Sequence, residues 1–297
     1  MRIDPALRAL RGDDAPQREA QAQMAHAAQL WRENPGRCEL GDAMRAFGAG
    51  EPLGQCGPLF DLFAHDGPAL RLVADFVAHF LPVLRDAPLG QVPSRYAQTG
   101  SVSTLLLARQ GRAMLSLVSF DGAMLATRPP AQTVSFADGE RHEAILAGTA
   151  RARMIRHAVA DPLRSVLNVT PMPLSRGSRF SLDTGRESLL VDSVDGRLVT
   201  LRLLRTPERP EPTREYALAS CERVHQAAGD MKDSCRELMV ALLGRMGCAN
   251  AAPGMADLAC NSAEPDHLRW QALREALALD TATGFAALCT VARDADD

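Results

Sequence analysis

The chain has 297 residues, 46% of them hydrophobic and 23% charged, and a formal net charge of −3. That length suffices for two or three domains, and the composition is that of an ordinary globular protein. The slightly acidic balance excludes a global attraction to nucleic acid or to an anionic membrane.

Lys232 is the only lysine, so almost all positive charge is arginine. The bias is chain-wide, which reads as coding-sequence composition rather than as a local anion site built from guanidinium forks. Seven cysteines, an odd number with no CxxC pair, fit free thiols in a reducing cytoplasm. The start, MRIDPALRALRGDDAPQ, lacks the apolar segment of a signal peptide, and no apolar run is long enough for a membrane span. A cytoplasmic protein without membrane contact is the expectation.

Residues 1–95 read as a helical N-terminal region. Asp14 stands as an N-cap with Pro16 in the first turn, and Pro35-Gly36 marks an end. In PALRLVADFVAHFLPVLRD, Leu72, Val73, Phe76, Val77, Phe80 and Leu84 recur at helical spacing, with Pro82 set to kink or end the helix. His79 beside that stripe reads as a packed side chain rather than a ligand.

Residues 96–220 read as an antiparallel β-domain. Short β-branched runs are separated by turns expected at Gln110-Gly111, Asp138-Gly139 and Asp195-Gly196, the pattern of a sandwich or barrel. Within it, residues 142–154 separate by strand parity. His142, Ala144, Leu146, Gly148, Ala150, Ala152 and Met154 make a small apolar face, expected inward. Arg151 and Arg153 fall on the outward face. Glu143 then points away from His142, so this adjacent pair does not chelate one ion from a regular strand. A bulge at Gly148 would reset the parity. RTPERPEPTREY, with three prolines, reads as an extended connection out of the domain.

Residues 221–297 return to helices. Arg236 and Arg269 stand 33 residues apart, and Gly254 and Gly284 stand 30 apart. LLGRMG ends one helix, Pro253 opens the next and LRWQALREAL regenerates the first. On these motifs the segment resembles HEAT-type repeats, which implies a stacked helical interaction surface. An ordinary helical bundle packed on the β-domain is the other reading. Trp270, Ala272, Leu273, Ala276 and Leu277 are the expected buried side of one helix. RDADD closes the segment without a capping helix, so either a partner or further chain is expected to supply one.

The chain carries no GxxxxGK[ST], GxSxG, HExxH or GxGxxG motif, which removes the easily recognised enzyme classes. Short strands, glycine turns and PLSRGSRFSLDTGRESLLV followed by VDG make the β-zone resemble a cupin-type double-stranded β-helix. Metal-binding cupins carry an HxH pair that this sequence lacks. For an iron- or manganese-dependent enzyme of the cupin type, one ligand set remains, made of His142, Glu187 and His225. Cys221, His225, Cys235, Cys248 and Cys260 are too irregularly spaced for structural zinc and read as buried free thiols.

From Arg141 to Arg186 eight arginines face Glu143, Asp161 and Asp183, whereas the last forty residues are acidic. The two zones dock on each other, within one chain or in a homodimer, or the basic face takes an anionic small molecule or an acidic peptide. Nucleic acid is not expected, since the chain has only two tyrosines and two tryptophans for stacking. The resulting expectation is an α+β protein with no predicted cofactor: a non-catalytic ligand- or peptide-binding adaptor, its site at His142, Arg151, Arg153, Arg179 and Glu187. The metal-dependent enzyme is the alternative.

Overall fold

Proline sets the ends of the N-terminal helices. The computed structural model describes residues 10, 12–161 and 164–294. Pro16 lies in the first turn of α1 (Ala15–Glu33), and α2 (Pro35–Ala49) starts at Pro35, with the Asn34 side chain accepting the Gly36 N–H. A first-turn proline gives up only a donor that has no intrahelical partner. Pro35-Gly36, expected as an end, is therefore also a beginning. α3 (Gly57–Ala64) and α4 (Pro68–Asp86) follow, and α4 continues past Pro82 to Asp86. Leu72, Phe76 and Phe80 of its expected stripe are buried, while Val77 is exposed. His79 packs against Trp31 and Phe80, with Nε2 2.8 Å from the Ala27 carbonyl.

The strands are β1 (Tyr96–Thr99), β2 (Val102–Gln110), β3 (Ala113–Asp121), β4 (Thr133–Phe136) and β5 (Glu140–Asp161), with a short α5 (Gly122–Ala126) after β3. Then come β6 (Arg164–Ser175), β7 (Arg179–Asp183), β8 (Glu187–Arg205), β9 (Thr213–Ala217) and β10 (Arg223–Ala227). One sheet has the order β1-β2-β3-β8-β5-β6, with β7 also on β5, and a second has the order β10-β9-β4. Every pairing is antiparallel. β10 lies beyond residue 220, where the β-zone was expected to end.

The turn at Gly111 joins β2 to β3 as expected, with glycine at φ 56°. Asp195-Gly196 does not make a hairpin. It lies inside β8, opposite an irregular stretch of β5 at Gly148, where the pairing shifts register on both sides of Ala147. Gly148 has φ 87°, and an added Cβ would collide with the Arg197 carbonyl. Only glycine serves such a site.

The bulge inverts the parity of β5, which corrects the expectation of one inward even-numbered face. Above it, Ala150 and Ala152 cluster with Leu174 and Leu198, and Arg151 is exposed. Below it, Ile145 joins that same cluster, whereas Ala144 and Leu146 pack under the helices with Phe47, Leu59 and Phe63. Residues 142–146 are buried on both faces. The second sheet covers the far half of β5 through Val134, Phe136, Tyr216 and Ile155.

The C-terminal helices are α6 (Met231–Arg245), α7 (Ala252–Cys260), α8 (Asp266–Leu279) and α9 (Thr281–Asp294). α8 is central and touches the other three. Its small residues Ala272 and Ala276 are fully buried beside Leu268 and Leu273, which lets the helices approach closely. Trp270, expected on the buried side, is 61% exposed, and Leu277 is half-buried. A central helix with three neighbours does not confirm a HEAT-type stack. α6 buries only Val240 and leaves Leu238, Met239 and Leu242 exposed, as is Met246 just past its end. Cys221, Cys248 and Cys260 are half-buried and Cys235 is exposed, so the expectation of buried thiols fails for all four; of the seven free cysteines only Cys56 is buried. Among the described residues no single helix is long and apolar enough to cross a membrane.

Candidate functional site

Two tight turns and one proline-rich segment meet at one end of the β-region. The chain turns at Asp138-Gly139 into β5 and at Thr184-Gly185 into β8, and residues 206–212 run beside them. Hydrogen bonds brace these pieces. Thr184 donates to the Gly139 carbonyl from both its N–H (2.8 Å) and its hydroxyl (3.0 Å), and the Glu211 N–H donates to Asp138 Oδ2 (3.0 Å).

Between them lie two adjoining cavities of about 570 and 490 Å3 that share Asp138 and Asp183 as walls. Together they form a groove. Phe136 and His157 lie at one end with Arg186, Glu211 and Arg214, while Glu140, Ser181, Arg205 and Pro207 lie at the other. The charge is mixed. Glu211 holds Arg214 at 3.0 Å, and Asp183 and Arg186 are 3.9 Å apart and exposed.

One histidine, His157, lines the first end, and a second, His142, lies behind the wall of the other, in contact with Glu140 and Ser181. The His157 ring lies 4.3 Å from Phe136 and 5.7 Å from Tyr216, centroid to centroid. Its Nε2 donates to the Gly185 carbonyl at 2.7 Å, and its Nδ1 lies 3.4 Å from Ser165 Oγ. His142 is 7% exposed, between the rings of Phe47 and Phe63. Its Nε2 is 2.7 Å from Glu140 Oε1 and its Nδ1 2.6 Å from Ser181 Oγ. Burial pushes its pKa down against the upward pull of Glu140, so the ring is neutral at pH 7. Nε2–H then donates to the carboxylate, and Nδ1 accepts from the exposed Ser181 hydroxyl. Arg205 anchors Glu140, and it also donates to the carbonyls of Phe47 (2.9 Å) and Glu51 (2.8 Å) while lying over the Phe47 ring. The relay fastens α2 to the sheet and presents a polarised hydroxyl at the cavity wall.

One residue further on, Glu143 points to the other face of the sheet. It is 2% exposed and accepts from Arg202 Nε (2.8 Å) and Thr200 Oγ1 (2.9 Å), with Arg141 Nε at 3.3 Å. Burial pushes the Arg141 pKa down to about 10 although Glu143 opposes the shift.

The expected site residues are not brought together. His142 faces the helix layer, not the cluster around Ala150 and Ala152. Arg153 is held by both oxygens of Asp192, Arg179 by Asp66 and two backbone carbonyls, and Arg151 donates to Ser193 at 3.0 Å. Glu187 pairs with Arg156 (2.7 Å) and reaches the groove only through the Asp183 N–H (3.3 Å). His225 is exposed on β10, in the other sheet. Among the described residues no three His, Cys, Asp or Glu side chains are placed to hold one metal ion, so His142, Glu187 and His225 do not form a set.

No protein-family model and no curated protein matches the chain. Solved structures resemble part of it. The chain is similar to Momordica charantia 7S globulin at 14% identity and TM-score 0.30, over 42% of its own length and 36% of that protein's. It is similar to a cupin superfamily protein from Desulfitobacterium hafniense at 18% identity and TM-score 0.26, over 37% and 83%. It is similar to the Schizosaccharomyces pombe Cnp3 cupin domain at 10% identity and TM-score 0.27, over 37% and 65%. Likeness this distant carries no activity over to the chain. The α+β class and the antiparallel β-region stand on the strand pairings themselves.

Proposed function

We propose that this is a non-catalytic binding protein, an adaptor that takes a short peptide in the groove between the Asp138 and Asp183 turns. The groove carries the reading. Two cavities lie end to end, with carboxylates and arginines of both signs along the walls and an aromatic floor at Phe136 and His157. Such a lining suits a chain that alternates backbone polar groups with side chains of either charge better than it suits a simple anion. The hydrogen bonds that brace the turns hold the groove open in advance, which lowers the ordering cost of binding.

Selection from a displayed random-peptide library, followed by titration of the selected peptide, tests this. Arg186→Glu and Asp183→Asn alter exposed wall residues, so the fold should survive both. The expected result is saturable binding weakened about tenfold by either change. Binding indifferent to both changes, or no peptide enriched, overturns the proposal. The enzyme alternative, an iron- or manganese-dependent reaction of the cupin type, has no metal-ligating cluster among the described residues. Near-stoichiometric iron or manganese in purified protein, lost on His142→Ala, would overturn the non-catalytic reading.

A further inference from the structure

A separate cavity of about 390 Å3 lies where α1, α2 and α4 meet β2 and β3. It shares no residue with the groove. Its volume is in the usual range for small-molecule sites, roughly 300–1,000 Å3. Trp31, Leu40, Met44, Phe76 and Leu107 form an apolar body. Four arginines line it as well, and they are unevenly neutralised. Arg45 pairs with Asp42 and Arg37 with Asp75, whereas Arg32 and Arg109 have no ion-pair partner among the described residues.

Arg37 carries an unanswered donor. Its guanidinium lies 4.5 Å over the Trp31 ring, and its Nε is buried without a hydrogen-bond partner among the described residues. A buried donor left without an acceptor is costly and rare in a finished site.

Gly41 in α2 is the second observation. Glycine inside a helix weakens it relative to alanine. Gly48 on the same helix has a steric reason, since a Cβ there would lie 2.7 Å from the Gln110 carbonyl oxygen. Gly41 has none: its Cβ would meet only Gln110 Nε2, at an ordinary 3.8 Å. Glycine at 41 keeps a cavity wall bare.

We propose that this cavity binds an amphipathic carboxylate. A medium-length alkyl or aryl body fills the apolar part, and the single carboxylate sits among the arginines and accepts from Arg37 Nε–H. A guanidinium and a carboxylate in a half-buried setting make the stronger, charge-assisted kind of hydrogen bond. The uncharged analogue keeps the apolar contacts and loses that anchor.

The molecule carries its own probe. Of the two tryptophans, Trp31 lines the cavity and Trp270 is exposed on α8. In a Trp270→Phe background, titration with sodium decanoate below its micelle concentration should change Trp31 emission saturably. 1-Decanol should bind at least about tenfold more weakly, Arg37→Gln should weaken decanoate by about tenfold, and Gly41→Leu should abolish its binding. Circular dichroism checks that each variant is folded, and the Arg37 result stands alone if Gly41→Leu is not. No saturable change, equal binding of decanol and decanoate, or undiminished binding to a folded Gly41→Leu protein overturns the proposal.

Discussion

His142 is the residue through which mild acid reaches the fold. Its pKa lies below the ordinary histidine value, because burial disfavours the charged ring more than Glu140 favours it. Between the ordinary value of 6.5 and the lower folded value, the unfolded chain holds a proton that the folded chain does not. Stability is therefore full above that window and falls as pH drops through it. Urea midpoints measured from about pH 7.5 down to about 5 should decline, and His142→Gln should flatten part of the decline. A variant that keeps the wild-type slope contradicts the assignment. Glu143 sets a different test. Glu143→Gln leaves Arg141 and Arg202 without their shared counter-charge and should cost about 3 kcal/mol, at the lower end because the guanidiniums keep some water. The sequence placed His142 and Glu143 on opposite faces correctly but expected only the even-numbered face to be covered, whereas both side chains are buried and the even-numbered residues change face at Gly148. Parity counts faces along a regular strand, and a left-handed glycine reverses the count without changing composition.

Among the elements, β5 repeats that lesson at larger scale. Ala150 is buried at 8% exposure and Arg151 is exposed, as the alternation of small and charged residues above the bulge predicted. Ala150→Glu should destabilise by several kcal/mol, about 3 or more, whereas Arg151→Glu should stay within about 0.5 kcal/mol of wild type. Equal melting losses in the two variants would sink the strand assignment. Gly148→Ala should cost more than about 1 kcal/mol, because the residue needs φ 87° and a Cβ has no room there. In the C-terminal helices the alanines of α8 were legible as core, and Ala276→Asp should cost about 3 kcal/mol or more. Trp270 was assigned to the wrong face: it stands two residues from both Leu268 and Ala272, about 200° around the helix from each, so the period that buries those two turns it outward. Leu242→Glu on the exposed side of α6 should leave the urea midpoint nearly unchanged.

Taken whole, the molecule explains why its charge pattern misled. The arginines of residues 141–186 stand in a basic stretch of sequence, yet Asp66, Glu187 and Asp192, all outside that stretch, neutralise three of them. Local counting cannot see partners brought in by strand pairing. The α+β division and the Gly111 and Asp138-Gly139 turns were readable because each rests on neighbouring residues. The groove was not, because it forms only when two turns some 45 residues apart close on one another through the Thr184–Gly139 hydrogen bonds. Asp138, His157, Asp183 and Arg186 carry no shared motif that would have joined them beforehand. Hydrogen–deuterium exchange of the full chain with and without a selected peptide tests the claim that this groove is the recognition site. Slowed exchange confined to residues 136–140, 183–187 and 211–214 is the predicted result. Protection that spares these three segments and falls instead on the C-terminal helices would contradict it.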